Sequence, residues 1–142
     1  MMAREVVTSE NRADYMADKL NLPIEKQVGK SQERPLMDVK YGKSTSSYTV
    51  HHPDKYIDIG SVRTPEKYRG QGHASKMMEY LNSKADELGY DAKLLASPLD
   101  KKTKLEELVN FYKKHGYELT GSKGNALGHP EMVRKHKKQD KK

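Results

Sequence analysis

The sequence predicts an α/β fold: a mixed, mostly antiparallel sheet flanked by helices. Three observations predict it. Between residues 36 and 62, three stretches of strand-type composition are separated by the turn sequences Gly42-Lys43-Ser44 and His52-Pro53-Asp54-Lys55, the mark of an antiparallel meander. Directly afterwards the apolar spacing becomes helical, with Ala74, Met77, Met78, Leu81, Ala85 and Leu88 on one face. A further strand-like stretch, residues 92–97, comes after that helix, and a strand reached by a crossover helix lies parallel to the one before it.

Taken in order, residues 5–8 read as a short strand. Ser9 then stands as N-cap of a helix reaching Leu20, with Ala13, Met16, Ala17 and Leu20 on one face, and Pro23 ends it. Residues 24–35 are polar without a clear period and read as a second short helix or a loop. Strands come next at 36–41, 47–51 and 56–62. The helix after them closes at Gly89, and the strand at 92–97 is stopped by Pro98. Thr103-Lys104-Leu105-Glu106 has the form of a capping box opening a helix with Leu105, Leu108, Val109 and Tyr112 in one stripe and Gly116 at its end. Residues 117–120 and 130–133 read as closing strands.

With 142 residues the chain is expected to form one domain, 1–133, followed by a basic tail, 134–142. Hydrophobic content of 34% with no Trp and one Phe means that the core leans on aliphatic residues, Met and the nine tyrosines. The absence of Cys excludes disulfides, thiolate nucleophiles and cysteine-bound zinc. No apolar run is long enough for a bilayer span, and Met1-Met2-Ala3-Arg4-Glu5 lacks a signal-peptide core, so no membrane role and a cytoplasmic location are expected. The net charge of +7 suits a polyphosphate ligand, an acidic surface or nucleic acid. The tail, Arg134-Lys135-His136-Lys137-Lys138-Gln139-Asp140-Lys141-Lys142, has no interleaved aromatics, so nucleic acid is expected to meet it only non-specifically. His51-His52-Pro53 reads as a turn without carboxylates at ligand spacing, so no metal site is expected, and His73 inside the anion loop is expected to pack or to offer a hydrogen bond to phosphate.

The chemistry concentrates where the 56–62 strand meets the helix. The first turn of a helix offers unpartnered N–H groups at a positive dipole end, and Gly70 and Gly72 let an anion approach that backbone while Lys67, Arg69 and Lys76 add charge. A Walker loop would need Gly-Lys-Ser/Thr after a longer interval. A dinucleotide loop would need a third Gly or Ala where Ser75 stands. Arg69-Gly70-Gln71-Gly72-His73-Ala74 instead resembles the Arg/Gln-x-x-Gly-x-Gly/Ala signature of the Gcn5-related N-acetyltransferase (GNAT) superfamily, in which backbone amides of this loop hold the pyrophosphate of acetyl-coenzyme A. Asn110-Phe111-Tyr112-Lys113-Lys114-His115-Gly116-Tyr117 resembles the family's C-terminal motif, a Phe-Tyr helix that ends in a Gly-aromatic step into a strand. The two together, in the family's order, carry the resemblance over residues 48–133.

That resemblance implies an acyl-CoA N-acyltransferase fold with two splayed central strands, and transfer of acetyl from acetyl-CoA, as cosubstrate, to a primary amine of a protein lysine or a small molecule. It implies cofactor contacts from Arg69, Gly70, Gln71, Gly72, His73, Ala74 and Ser75 in the loop. Val62, Arg63 and Thr64 would contribute from the strand end, and Asn110 from the second motif. Leu105 stands where members often carry an Asn that contacts pantetheine. An amine with a pKa of about 10.4 must lose a proton before attacking a thioester, the oxyanion needs donors, and the departing sulfur needs an acid. The resemblance gives the acid role to Tyr112 and the oxyanion role to backbone N–H groups around Val62, where Pro65 marks the end of strand pairing. Asp58, the carboxylate sharing a strand face with Tyr56, Gly60 and Val62, is the expected proton acceptor. The alternative is a catalytically silent domain of this fold, or a small basic module acting through a protein or nucleic-acid partner.

Overall fold

The computed structural model describes residues 22–98, 104–123 and 128–137. The seven strands are β1 (Ile24–Val28), β2 (Leu36–Tyr41), β3 (Ser44–His51), β4 (Tyr56–Ile59), β5 (Asp91–Leu95), β6 (Glu118–Lys123) and β7 (Pro130–Arg134). They form one sheet in the order β1-β2-β3-β4-β5-β7-β6, antiparallel throughout except for the parallel pair β4–β5. Helix α1 (His73–Leu88) makes the crossover between those two, and α2 (Leu105–Lys114) joins β5 to β6. The expected mixed sheet, its meander and its crossover are therefore present.

Both described helices lie on one face. Ile57, Ile59, Ala92, Leu94, Ala96 and Met132 turn that way and close over Met77, Met78, Leu81 and Ala85 of α1. Tyr117 Oη donates to Asn82 Oδ1 of α1 at 2.8 Å, and Asn82 Nδ2 donates to the His115 carbonyl at the end of α2 at 3.1 Å, which ties the helices together. The strand and helix expected at 5–20 lie outside the described residues. Among the described residues no helix is long and apolar enough to cross a membrane.

The segment expected to be a helix or loop at 24–35 begins as a strand. Its sequence, Ile-Glu-Lys-Gln-Val, has no clean apolar face, since Lys26 interrupts Ile24 and Val28 and the other face is Glu25 and Gln27, and what fixes it is remote. Glu25 accepts a 2.5 Å hydrogen bond from Tyr48 Oη of β3 and stands 3.7 Å from Lys84 Nζ of α1. β3 starts at Ser44 and not at 47, because Gly42 and Lys43 alone turn the hairpin between the paired Tyr41 and Ser44. The strand expected at 56–62 ends its regular pairing at Ile59. Lys104 is the N-cap of α2, Thr103 of the expected capping box lies outside the described residues, and Leu105 at the first helical position is 40% exposed and not part of a buried stripe.

Candidate active site

The site forms where β4 and β5 part. Their last parallel pair is Ile59↔Leu94. Beyond it the β4 side stays with β3, as Gly60 N–H donates to Ser47 O at 2.8 Å and Arg63 exchanges two bonds with Thr45 at 2.8 and 2.9 Å. The β5 side stays with β7 instead, through Ala96 N–H to Pro130 O at 2.9 Å. The two central strands thus separate because each keeps its outer neighbour.

Between the Tyr48↔Ile59 pair and the Thr45↔Arg63 bridge, β3 has Ser46 and Ser47 while the other strand has Gly60, Ser61 and Val62. The extra residue is a β-bulge, which bends the strand away and re-aims the residues beyond it. Gly60 fits it because a Cβ there would stand 2.5 Å from Ser47 Oγ. Arg63 directs its N–H and C=O at β3, so in an extended chain those of Val62 and Thr64 face the gap. Neither N–H has an acceptor among the described residues.

The chain leaves this point through Pro65 and a 3-10 turn, Glu66–Tyr68. Arg69 Nε donates back to Thr64 O at 3.0 Å, and Ser44 and Thr64 share a 2.6 Å hydroxyl bond, so the loop is braced at its root. Lys43 and Lys67 stand 5.1 and 5.0 Å over the Tyr68 ring, which gathers their charge at the loop. Gly72 is the N-cap of α1 with φ +85°, a conformation costly for any side chain, and no acidic residue occupies the first turn. The N–H groups of His73, Ala74 and Ser75 therefore present an uncompensated positive helix end.

Two cavities of about 340 and 250 Å³ adjoin through Thr64, Arg69 and Ala74. The first also contains Val62, Arg63 and Tyr112, and the second Gly70, Gly72, His73 and Ser75. The gap, the loop and the α2 tyrosine thus form one channel. Gln71 and Asn110 are exposed and line neither cavity. Asn110 sits two positions from both Leu108 and Tyr112, which puts it on the far side of α2. Ser61, Tyr68, Ser97, Leu108 and Phe111 also line the channel and were not singled out in the sequence. Leu108 and Phe111 could be found from the helical phase of Tyr112, whereas no local pattern marks Ser61 or Ser97.

Tyr112 is 4% exposed, and burial pushes its hydroxyl up to about 12. That hydroxyl has no hydrogen-bond partner among the described residues, although no buried side-chain polar atom there is left unpaired, so it opens onto the channel. Asp58 lies on the opposite sheet face, between the buried Ile57 and Ile59. Partial desolvation raises its carboxyl, Glu131 adds to the rise, and His51 and Lys93 oppose it. On that face a third cavity of about 480 Å³ shares Ser61 and Arg63 with the Tyr112 channel, so the splay can be reached from both sides. Among the described residues no three metal-ligating side chains converge.

A family model described as an acetyltransferase (GNAT) domain matches residues 42–119, 78 of the 142. The chain belongs to the GNAT family. Solved structures share the GNAT architecture at low identity. The anti-CRISPR protein AcrVA5 superposes with a TM-score of 0.58 at 20% identity, over 69% of this chain and 96% of that one. A GNAT-family protein from Bacteroides thetaiotaomicron gives 0.57 at 15%, over 93% and 86%. An aminoglycoside 6'-N-acetyltransferase complexed with coenzyme A gives 0.53 at 17%, over 73% of each. Likeness at these identities is one of fold. No curated protein matches the chain by sequence.

Proposed function

We propose that this GNAT protein transfers the acetyl group of acetyl-CoA to a primary amine, on a protein lysine or a small molecule, by direct attack on the thioester. The observation that carries this reading is the opening between β4 and β5, which joins two N–H groups outside the strand ladder, a glycine loop at a helix N-terminus and a tyrosine hydroxyl without a partner among the described residues. Backbone groups from Gly70 to Ser75 suit the diphosphate, with Arg69 holding the loop in place. Val62 and Thr64 N–H groups suit the acetyl carbonyl and the pantetheine amides.

Tyr112 serves the leaving sulfur. A thiol with an ordinary pKa of about 8.5 is the stronger acid, and full proton transfer from a phenol at about 12 is uphill by roughly 5 kcal/mol. The hydroxyl therefore acts first as a hydrogen-bond donor that stabilises the thiolate. The amine approaches through the cavity on the opposite face, whose lining carboxylate is Asp38, while Asp58 stands on the same sheet face outside that lining. At four residues from Val62, up to roughly 13 Å of extended strand, Asp58 takes a proton only through intervening water.

Calorimetric titration with acetyl-CoA tests the site. The unaltered protein should bind, and Gly72→Glu, which sets a carboxylate where the diphosphate sits, should lose binding altogether. Mass spectrometry of a lysine peptide and an aminoglycoside incubated with acetyl-CoA tests the activity. Binding without any acetylated amine would mark the domain as catalytically silent, and equal binding by Gly72→Glu would defeat the site assignment.

A further inference from the structure

We propose that Ser97 and His129 form the proton relay that deprotonates the acceptor amine, an inference that rests on the acetyltransferase reading above. Ser97 Oγ and His129 Nδ1 are 2.7 Å apart, although 32 residues separate them in the chain. Ser97 follows the end of β5 at Leu95 and lines the cavity that holds Tyr112. His129 precedes Pro130, whose carbonyl takes the Ala96 N–H, and the pair thus continues the β5–β7 contact past the point where β4 has left.

The level along the strands matters. Past the last parallel pair, Ile59↔Leu94, Ser97 comes two residues after the end of β5 and Val62 closes the bulge on the continuation of β4. Ser97 lines the Tyr112 cavity together with Val62 and Thr64, whose N–H groups are assigned to the carbonyl. Asp58 is one residue before that last pair. Both members of the Ser–His pair are half-buried, which shields the bond from competing water.

In the tautomer with its proton on Nε2, His129 accepts the Ser97 O–H at Nδ1, leaving a lone pair of Ser97 Oγ for the amine. The ammonium first gives one proton to Ser97 as the Ser97 proton passes to His129. The freed lone pair then attacks the thioester carbon, the C–N bond forms, and the second proton on the nitrogen, now acidic in the tetrahedral intermediate, goes to solvent. The C–S bond then breaks. The thiolate leaves hydrogen-bonded to Tyr112 and is protonated from solvent, to which His129 returns its proton. Ser97 is the catalytic residue in this scheme, and His129, which acts through it, is a positioning and proton-holding residue.

The test compares the unaltered protein with His129→Gln, Ser97→Ala and Asp58→Asn, using two probe amines at pH 7. Nα-acetyl-lysine amide arrives protonated, and hydroxylamine arrives neutral. His129→Gln and Ser97→Ala should lower kcat for the lysine probe on the order of 10²-fold. They should lower it far less for hydroxylamine, with acetyl-CoA affinity by calorimetry unchanged. Equal losses for both amines would reveal a packing role and overturn the relay, as would a loss confined to Asp58→Asn or an acetyl group trapped on Ser97 without amine. Full-rate transfer by His129→Gln would sink the relay alone, whereas no transfer by the unaltered protein to either probe would sink the acetyltransferase reading and the relay with it.

Discussion

Tyr112 and Tyr117 sit five residues apart, their rings 6.1 Å from each other, and burial raises the hydroxyl pKa of both. They differ in what the hydroxyl meets. Tyr117 donates to Asn82, which in turn holds the end of α2, whereas Tyr112 Oη opens onto the channel. The same substitution should therefore have opposite consequences at the two positions. Tyr117→Phe removes a buried bond and leaves Asn82 Oδ1 unpaired, which should cost about 1–3 kcal/mol of stability and lower Tm while sparing turnover per folded molecule. Tyr112→Phe breaks no bond in the protein. It should leave Tm and acetyl-CoA affinity in place and lower kcat on the order of 10²-fold. Thermal melts and initial rates on the two variants check both statements, and a Tyr112→Phe variant with full kcat would remove the sulfur role.

The bulge on the continuation of β4 is the element that opens the channel. Gly60→Ala drives a Cβ against Ser47 Oγ, and relieving that contact should cost about 1–3 kcal/mol and partly re-pair the strand, weakening acetyl-CoA binding as well. Ser47→Ala removes the clashing oxygen, so the double variant should recover most of both losses, and denaturant unfolding of the four proteins measures the coupling. A single variant as stable as the parent would mean that the strand yields freely there. This element also marks the limit of what the sequence discloses. The α1 face, the meander and the loop glycines were legible because each arises from spacing within one segment. The bulge is a count against β3 and exists only in register. β1 was illegible because Ile-Glu-Lys-Gln-Val owes its place to Tyr48 and Lys84, and Ser97 finds His129 only once β5 and β7 are neighbours. Asn110 is the opposite case, since a 100° step per residue from Tyr112 already turns it away from the channel.

Across the whole molecule, the segment expected to begin the basic tail, residues 134–137, packs back on the domain. Arg134, the last residue of β7 and 6% exposed, makes a bidentate pair with Asp86 of α1 at 2.9 and 3.1 Å. Lys137 N–H donates to the same carboxylate at 2.8 Å, while the His136 backbone and ring and Lys135 converge on Asp91. A chain ended at Val133 strands Asp86 without its buried partner, a loss of about 3–5 kcal/mol, so it should melt well below a chain ended at Lys137. The same bonds set the response to acid. The Arg134 hydrogen bonds hold the Asp86 carboxyl below its ordinary value. Burial pushes the Asp91 carboxyl up, but bonds from His136 and Lys135 outweigh it and bring it to about 2. A carboxyl depressed on folding binds fewer protons in the native state than in the unfolded one. Its contribution is complete above the unfolded value of about 3.9 and is lost as pH falls through the folded value. Stability should thus hold from neutral pH to about 5 and drop between there and 2. In the chain ended at Val133, which lacks every donor that depresses these two groups, the drop over that window should be shallower. Denaturant unfolding of both chains from pH 7 to pH 3 reads the two slopes, and parallel curves would show that the closing segment does not hold these carboxylates down.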